Sequence, residues 1–297
     1  MKRFLFLLFV LPTGISLCAQ EASQDFTAYG YATRSADYIL EPAQYAVHYR
    51  RTQAVIDEAT REQETLTDTL TLVMGPAGSV FCNPSYNDRW SKWGQQNLRK
   101  TRQATKPISM ESVPLSSVIV KKNASTDYSE GDYGEPVVIY KNRSKGTVRS
   151  CLYGTSNIEY EQGTMFRDWT LTEVRDSVLD YACQQATVDY AGRKWTAWYA
   201  PEIPVSDGPW KLFGLPGLIL KADDAEGLFS FEMIGMETLK DACITLDDDL
   251  EKVSPAYFNK TADAVRSTRR GSFLFEGELI FTESRPYSFF EMELMQE

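Results

Sequence analysis

Short runs in which apolar and polar side chains alternate recur along most of the chain, and this period of two is its strongest constraint. In residues 44–56, Tyr45, Val47 and Tyr49 alternate with Ala46, His48 and Arg50; in residues 228–234, Phe229, Phe231 and Met233 alternate with Ser230 and Glu232. Phe273, Phe275, Leu279 and Phe281 alternate around Glu276 and Glu278, and Phe290, Met292 and Leu294 around Glu291 and Glu293. Successive side chains of a strand point to opposite faces, so each run reads as a strand with one buried and one wet face. Residues 67–74 lead through Gly75-Pro76-Ala77-Gly78 into 79–82, a hairpin signal, and Ala191-Gly192 separates residues 178–190 from 193–199 in the same way. Residues 118–122, 137–141, 147–153 and 157–160 add further short strands. Only residues 255–266 read clearly as helix, with Ser254 as N-cap, Pro255 in the first turn, and Phe258, Ala262 and Val265 on one face. A second short helix is compatible with Trp90 and Trp93. The expected fold is mainly β: a strongly curved antiparallel sheet or meander, or a sandwich, with one or two short helices. No repeat and no Pro/Ser-rich linker divides the chain, so residues 43–297 are expected to form a single β-rich domain, preceded by an extended lead-in over 21–42.

The first 20 residues have the anatomy of a secretory signal: Lys2 and Arg3, an apolar run from Phe4 to Leu11, then a Pro-Gly break and small or polar residues. That run is about eight residues, against the about 20 that a spanning helix needs, and no later stretch is as long. The mature chain is therefore expected without a transmembrane helix, exported and periplasmic, outer-envelope associated or secreted. Cleavage is expected near Ala19 or Gln20. Cys18 also admits acylation, but Leu17 stands where a small residue would be expected.

Export bears on the cysteines. Cys82, Cys151, Cys183 and Cys243 remain after a leader is removed, an even number in a compartment where disulfides persist. One or two structural disulfides are expected, with buried thiols as the alternative. No C-x-x-C occurs, and His48 is the sole histidine, which excludes multi-histidine zinc sites and leaves a Ser-His-Asp arrangement little to work with. No cofactor is expected. Lys plus Arg number 31 against 41 Asp plus Glu, a net charge of −10 that becomes −12 once Lys2 and Arg3 leave with a leader. This disfavours nucleic acid as a partner.

Residues 183–220 read CQQATVDYAGRKWTAWYAPEIPVSDGPWKLFGLPGLIL. This segment closely resembles the GLPGLI family of exported Bacteroidota proteins, whose motif stands intact as Gly214, Leu215, Pro216, Gly217, Leu218 and Ile219, with Cys183, Arg193, Trp195, Trp198, Tyr199, Trp210 and Lys211 also in the family's pattern. Leu212 and Phe213 depart from it, and residues 90–106, with Arg99, Lys100, Arg102 and Lys106, read as a local insertion. The resemblance implies an exported β-rich protein and carries no catalytic residue with it.

The segment's own chemistry gives two readings. Arg193, Trp195, Trp198, Tyr199, Trp210 and Lys211 make a candidate ligand or partner surface, with rings supplying contact area and the cations orienting a polar group. The plainer reading puts the rings on the inner face of a curved sheet and pairs the cations with nearby carboxylates. The glycines and prolines describe a rigid connection, and the P-loop lysine and hydroxyl are missing. Asp223, Asp224 and Glu226, and Asp247, Asp248, Asp249 and Glu251, are acidic turns without the ordered calcium-loop spacing. The expected function is binding of an envelope protein, peptide or other envelope component. A carboxylate-dependent hydrolase, recognisable by two close acids in a lined cleft, and a ligand-free β-scaffold are the alternatives.

Overall fold

The alternation becomes sheet. A computed structural model describes residues 27–30, 39–57, 60–84, 118–119, 135–153, 157–163, 167–247, 249–267, 271–275, 278–282 and 287–289. The leader, residues 90–106 and the alternating run at 290–294 lie outside them. In chain order the strands are β1 (Thr27–Gly30), β2 (Ile39–Pro42), β3 (Tyr45–Asp57), β4 (Gln63–Met74), β5 (Gly78–Cys82), β6 (Val118–Ile119), β7 (Val137–Asn142), β8 (Thr147–Leu152) and β9 (Ile158–Gln162). They continue as β10 (Thr170–Val178), β11 (Tyr181–Tyr190), β12 (Arg193–Ala200), β13 (Leu218–Asp224), β14 (Phe229–Thr238), β15 (Ala242–Thr245) and β16 (Glu251–Lys252). Helix α1 (Pro255–Ser267) precedes β17 (Gly271–Phe275), β18 (Glu278–Thr282) and β19 (Tyr287–Phe289). The protein is mainly β, as its periodicity requires.

One sheet of 13 strands dominates, in the order β10-β11-β12-β13-β14-β3-β4-β5-β7-β8-β9-β16, with β19 also paired to β3. Two three-stranded sheets accompany it, β1-β15-β2 and β17-β18-β6. The long β3 and β4 form its centre, in register from Tyr45↔Met74 to Ile56↔Gln63. At the hairpin between β11 and β12, Ala191 and Gly192 take φ of 52° and 72°, the left-handed pair that a two-residue turn needs.

The main sheet has an inner and an outer face. Odd-numbered residues of β3 and β12, such as Tyr49, Trp195 and Tyr199, enter an inner core with Leu70, Phe81 and Phe231. Helix α1 closes part of this core: Ser254 Oγ accepts the Tyr257 amide at 3.3 Å as the N-cap, while Phe258 packs edge-on against Tyr160 at 4.8 Å between ring centroids. A second core lies on the outer face, where Ala46, Val73, Val80 and Val138 meet Ala242 and Ile244. The small sheet β1-β15-β2 thus covers that part of the outer face.

The structure departs from the sequence reading in three places. Residues 178–190 are not one strand: Leu179, with φ of 53°, turns the chain between β10 and β11. The lead-in holds β1 and β2, which flank the wholly buried β15; four-residue strands are too short to display a period. Finally, no disulfide joins Cys82, Cys151, Cys183 and Cys243, which are all buried thiols. Burial pushes the Cys82 and Cys151 thiols up to about 12, far from the reactive thiolate. Among the described residues no helix is long and apolar enough to cross a membrane.

Candidate functional site

The connection from β12 to β13, residues 201–217, folds over the inner face of the sheet. Ile203, Trp210, Leu212, Phe213 and Leu215 are all buried in the inner core. Polar groups tie the connection to the sheet. Asp207, fully buried, meets Lys141 Nζ at 2.5 Å and accepts the Gly208 amide at 2.8 Å, while Lys141 Nζ donates to the Gly208 carbonyl at 2.6 Å. Burial opposes ionisation of Asp207, but Lys141 beside it outweighs that cost and holds the carboxyl below its usual range. Tyr49 donates from the sheet to the Ile219 carbonyl at 2.7 Å, and the Trp169 indole to the Phe213 carbonyl at 2.8 Å.

The glycines of GLPGLI fit this account. Gly214 sits at φ of 100°, a region denied to residues with side chains. At Gly217, a Cβ would lie 2.8 Å from the Ala200 carbonyl carbon, so only a bare backbone lets the connection pass the end of β12. Leu218 and Ile219 then begin β13 with both side chains buried.

The six candidate surface residues do not share one surface. Trp195 (0% exposed), Tyr199 (2%) and Trp210 (4%) lie in the inner core, where Trp210 packs between Tyr190 at 5.5 Å and Trp195 at 5.6 Å. Lys211 is buried too, donating to the Tyr160 hydroxyl with its ammonium 4.7 Å from that ring. Arg193, half-buried, pairs with Asp224 at 3.3 Å and Glu226 at 3.1 Å and lies over Phe229. Trp198 alternates to the other side of β12, where it is half-buried, packed against the same core cluster and beside the Lys221 ammonium. The reason is the period of two: positions 195, 197 and 199 point in and 196 and 198 point out.

The inner face also holds a small cleft of about 30 Å³, room for about two or three waters at roughly 10–15 Å³ each, that sequence reasoning missed. Lys211, Tyr160 and Trp210 line one side, Arg51, Glu135, Asp263 and Arg266 another. Glu135, 6% exposed, receives Arg51 and Arg266, each at 2.6 Å, and Arg51 also grips Asp68 through two bonds of 2.8 Å. Burial would raise the Glu135 carboxyl, but the two guanidinium groups outweigh it and hold it at about 2. Asp263, 3.5 Å from Arg266, is raised by burial, and Lys211 is driven well below its ordinary value by burial with Arg167 and Arg266 adding to it. No motif announces these residues, because they come from β3, the segment before β7, the connection and α1.

Beyond the small sheet the outer face carries a polar row, although Cys183, Ala200 and Leu218 on the same face are buried. Register aligns Gln185, Trp198, Lys221, Glu232, Arg50 and Thr69 across six adjacent strands, β11 to β14, β3 and β4. Each is half-buried or exposed. His48, on the same face, lies between Thr71 at 3.0 Å and Glu237 at 3.1 Å. The acidic turns serve local structure: Asp224 accepts the Leu228 amide at 3.0 Å, Asp223 the Ser230 hydroxyl at 2.6 Å, and Asp247 the Asp249 amide at 3.0 Å. Among the described residues no group of three or more His, Cys, Asp and Glu converges as a metal-ligand set.

Residues 188–221 match a family described as "Protein of unknown function (Porph_ging)". No curated protein matches the chain. Among solved structures, the chain is similar to PNGF-II in two crystal forms, P21 and C2, at 13% identity with TM-scores of 0.46 and 0.45. Each match covers 78% of this chain and 35% of PNGF-II.

Proposed function

We propose that this is an exported member of the GLPGLI group, cleaved near residue 20 and held in the periplasm or at the outer envelope, that binds an envelope component through the half-buried surface around Trp198. Residues 43–297 with the two lead-in strands act as one β-rich unit, and the GLPGLI connection serves as its internal brace. The observation that carries this reading is the position of Trp198. Among the candidate rings it is the one that stays half-buried rather than buried, packed against the core cluster and beside the Lys221 ammonium.

Binding to this face predicts that Trp198→Ala, which removes no inner-core ring, keeps the circular dichroism spectrum of the wild type but loses its partner in a pull-down from native cell envelope. Retention of every partner by the folded variant would sink the reading.

The hydrolase alternative has one observation in its favour, the two acids of the inner cleft with Glu135 lowered and Asp263 raised. Two features weigh against it. Arg266 contacts both acids, and the cleft of about 30 Å³ has room for a few waters rather than a substrate. Asp263→Asn abolishing hydrolysis of an envelope-derived substrate would reverse this judgement.

A further inference from the structure

The main sheet ends in two edges of different kinds. At one end stands β16, two residues long; at the other stands β10, nine residues long, with β11 on one side and no strand on the other among the described residues. Shortness is a common protection against stray pairing at an edge, and β10 lacks it. Its side chains are exposed apart from Thr172 and Val178. Leu171, Val174 and, in the turn after the strand, Leu179 are three of the six exposed large apolar side chains among the described residues.

The hairpin turns fix which backbone groups of β10 point away from β11. Two-residue turns close on a hydrogen-bonded pair, here Val178↔Tyr181 and Tyr190↔Arg193, and bonded pairs alternate with unbonded ones from there. Along β10, Asp176 therefore bonds to β11, while Ser177 and Arg175 turn their N–H and C=O groups outward. The Ser177 amide accordingly donates to the Asp176 carboxylate of its own strand, at 2.7 Å. Along β11, Ala186 bonds to β12, so Leu171 opposite it also turns outward. Between Leu171 and Arg175, four steps along β10 match two along β11, an even difference that preserves the alternation and turns Glu173 outward with them. The Thr172 carbonyl, on the alternate phase, accepts the Gln184 side-chain amide of β11 at 3.1 Å.

Residues 170–178 read TLTEVRDSV. An antiparallel copy laid along β10 about a two-fold axis at Val174 sets Glu173 opposite Arg175 twice and Leu171 opposite Ser177 twice, outward groups against outward groups. Opposite charges directly across a pair of strands stabilise it, and like charges do the reverse. The neighbouring registers that keep outward groups together set Glu173 against Glu173 or Arg175 against Arg175. Both side chains are exposed, and neither is engaged in an ion pair among the described residues. We propose that β10 pairs antiparallel with β10 of a second copy of this chain, joining two main sheets into one across a two-fold axis at Val174. Isologous pairing makes every contact twice. Backbone bonds and the meeting of Val174 with its symmetry mate hold the pair, while Glu173 and Arg175 select its register. The same ordered charges turn away strands of other sequence, which is how charge protects an edge. The proposal is independent of what the surface around Trp198 binds.

Sedimentation velocity of the full mature chain over a concentration series at low salt reads the association. The wild type is expected to pass from monomer to dimer as concentration rises. Glu173→Arg and Arg175→Glu each place like charges across both pairs, and each is expected to weaken the dimer by about tenfold or more. Combined, the two reversals restore opposite charges, and the double variant is expected to recover the dimer. A wild type that stays monomeric throughout, single reversals that leave the dimer intact, or a double variant no better than the singles overturns the proposal. Val174→Cys gives a second measurement. Its two thiols meet at the axis, with about 4.5 Å between Cα atoms of a non-hydrogen-bonded pair, within disulfide reach. Oxidised glutathione is expected to link Val174→Cys as a dimer and to leave Leu179→Cys, farther from the axis, unlinked. Should a charge variant lose the wild-type circular dichroism spectrum, this linkage decides, and its absence overturns the proposal.

Discussion

The outer face of the main sheet is one continuous surface built in two ways. Toward β5, β7 and β8 its side chains are Ala46, Val73, Val80, Val138 and Tyr140, and β1-β15-β2 is laid over them. Toward β11 to β14 the same face carries threonines, ion pairs and the half-buried Trp198, with Cys183, Ala200 and Leu218 buried at its end. The boundary crosses individual strands: β3 turns from Ala46 to Arg50, and β4 from Val73 to Thr69, within four residues. Apolar area removed from water contributes about 25 cal/mol per Å², so valine-bearing positions gain from a cover, whereas threonines and paired charges gain little from one and would lose hydration. Coverage therefore follows the outward-facing composition strand by strand.

The sharpest test of this division is the tryptophan pair on β12. Trp195→Ala, in the inner core, is expected to cost about 3–5 kcal/mol in urea denaturation, and Trp198→Ala on the outer face less than about 1 kcal/mol. Equal costs would break the distinction between the faces. The two halves of the outer face are compared by Ile244→Ala under the small sheet, expected to cost about 2–5 kcal/mol, and Thr67→Ala on the open half, expected within about 0.5 kcal/mol of the wild type.

Ion pairs repeat the contrast. Arg50 with Glu232, 50% and 43% exposed, contributes about 0–1 kcal/mol. Glu135 is buried between two arginines. Its folded value of about 2 lies below an ordinary 4.5, so its contribution is present in full above about 4.5 and is lost as pH falls through that window toward 2. An acid titration of stability should therefore show a shallower fall below pH 4.5 in Glu135→Gln than in the wild type, with a difference of roughly 3 kcal/mol by linkage. Superimposable profiles would remove the buried cluster's electrostatic role. Gly217→Ala, forced against the carbonyl of Ala200, is expected to cost about 1–3 kcal/mol. The smallest effect concerns the cysteines: with all four as buried thiols, a reducing agent is expected to leave the melting temperature unchanged, and a fall of several degrees would reveal a disulfide.

Much of the architecture was legible because period-two patterning is local. Residues 44–56, the Ala191-Gly192 turn and the helix behind Ser254 each carry their signal within a dozen positions. Strand β10 was not legible, since its side chains are almost all exposed and leave no apolar alternation. Trp195 and Trp198 were grouped by proximity in sequence although their spacing of three assigns them to opposite faces of a strand. The inner cleft was hidden for another reason. Arg51, Glu135, Lys211 and Arg266 sit far apart in the chain, and a charged residue in an alternating run reads as solvated until the fold supplies its counter-ion.

By itself, then, the amino-acid sequence determined a mainly β protein with a rigid Gly/Pro-rich connection after β12, because strand period, turn chemistry and glycine requirements are set by nearest neighbours. Only the tertiary structure decided which aromatic ring stays on the surface, that the cysteines remain unbridged, and that Asp207, Glu135 and Arg51 are buried. Those outcomes depend on which distant strands become neighbours, and a buried charge is tolerable only where its partner arrives from elsewhere in the chain.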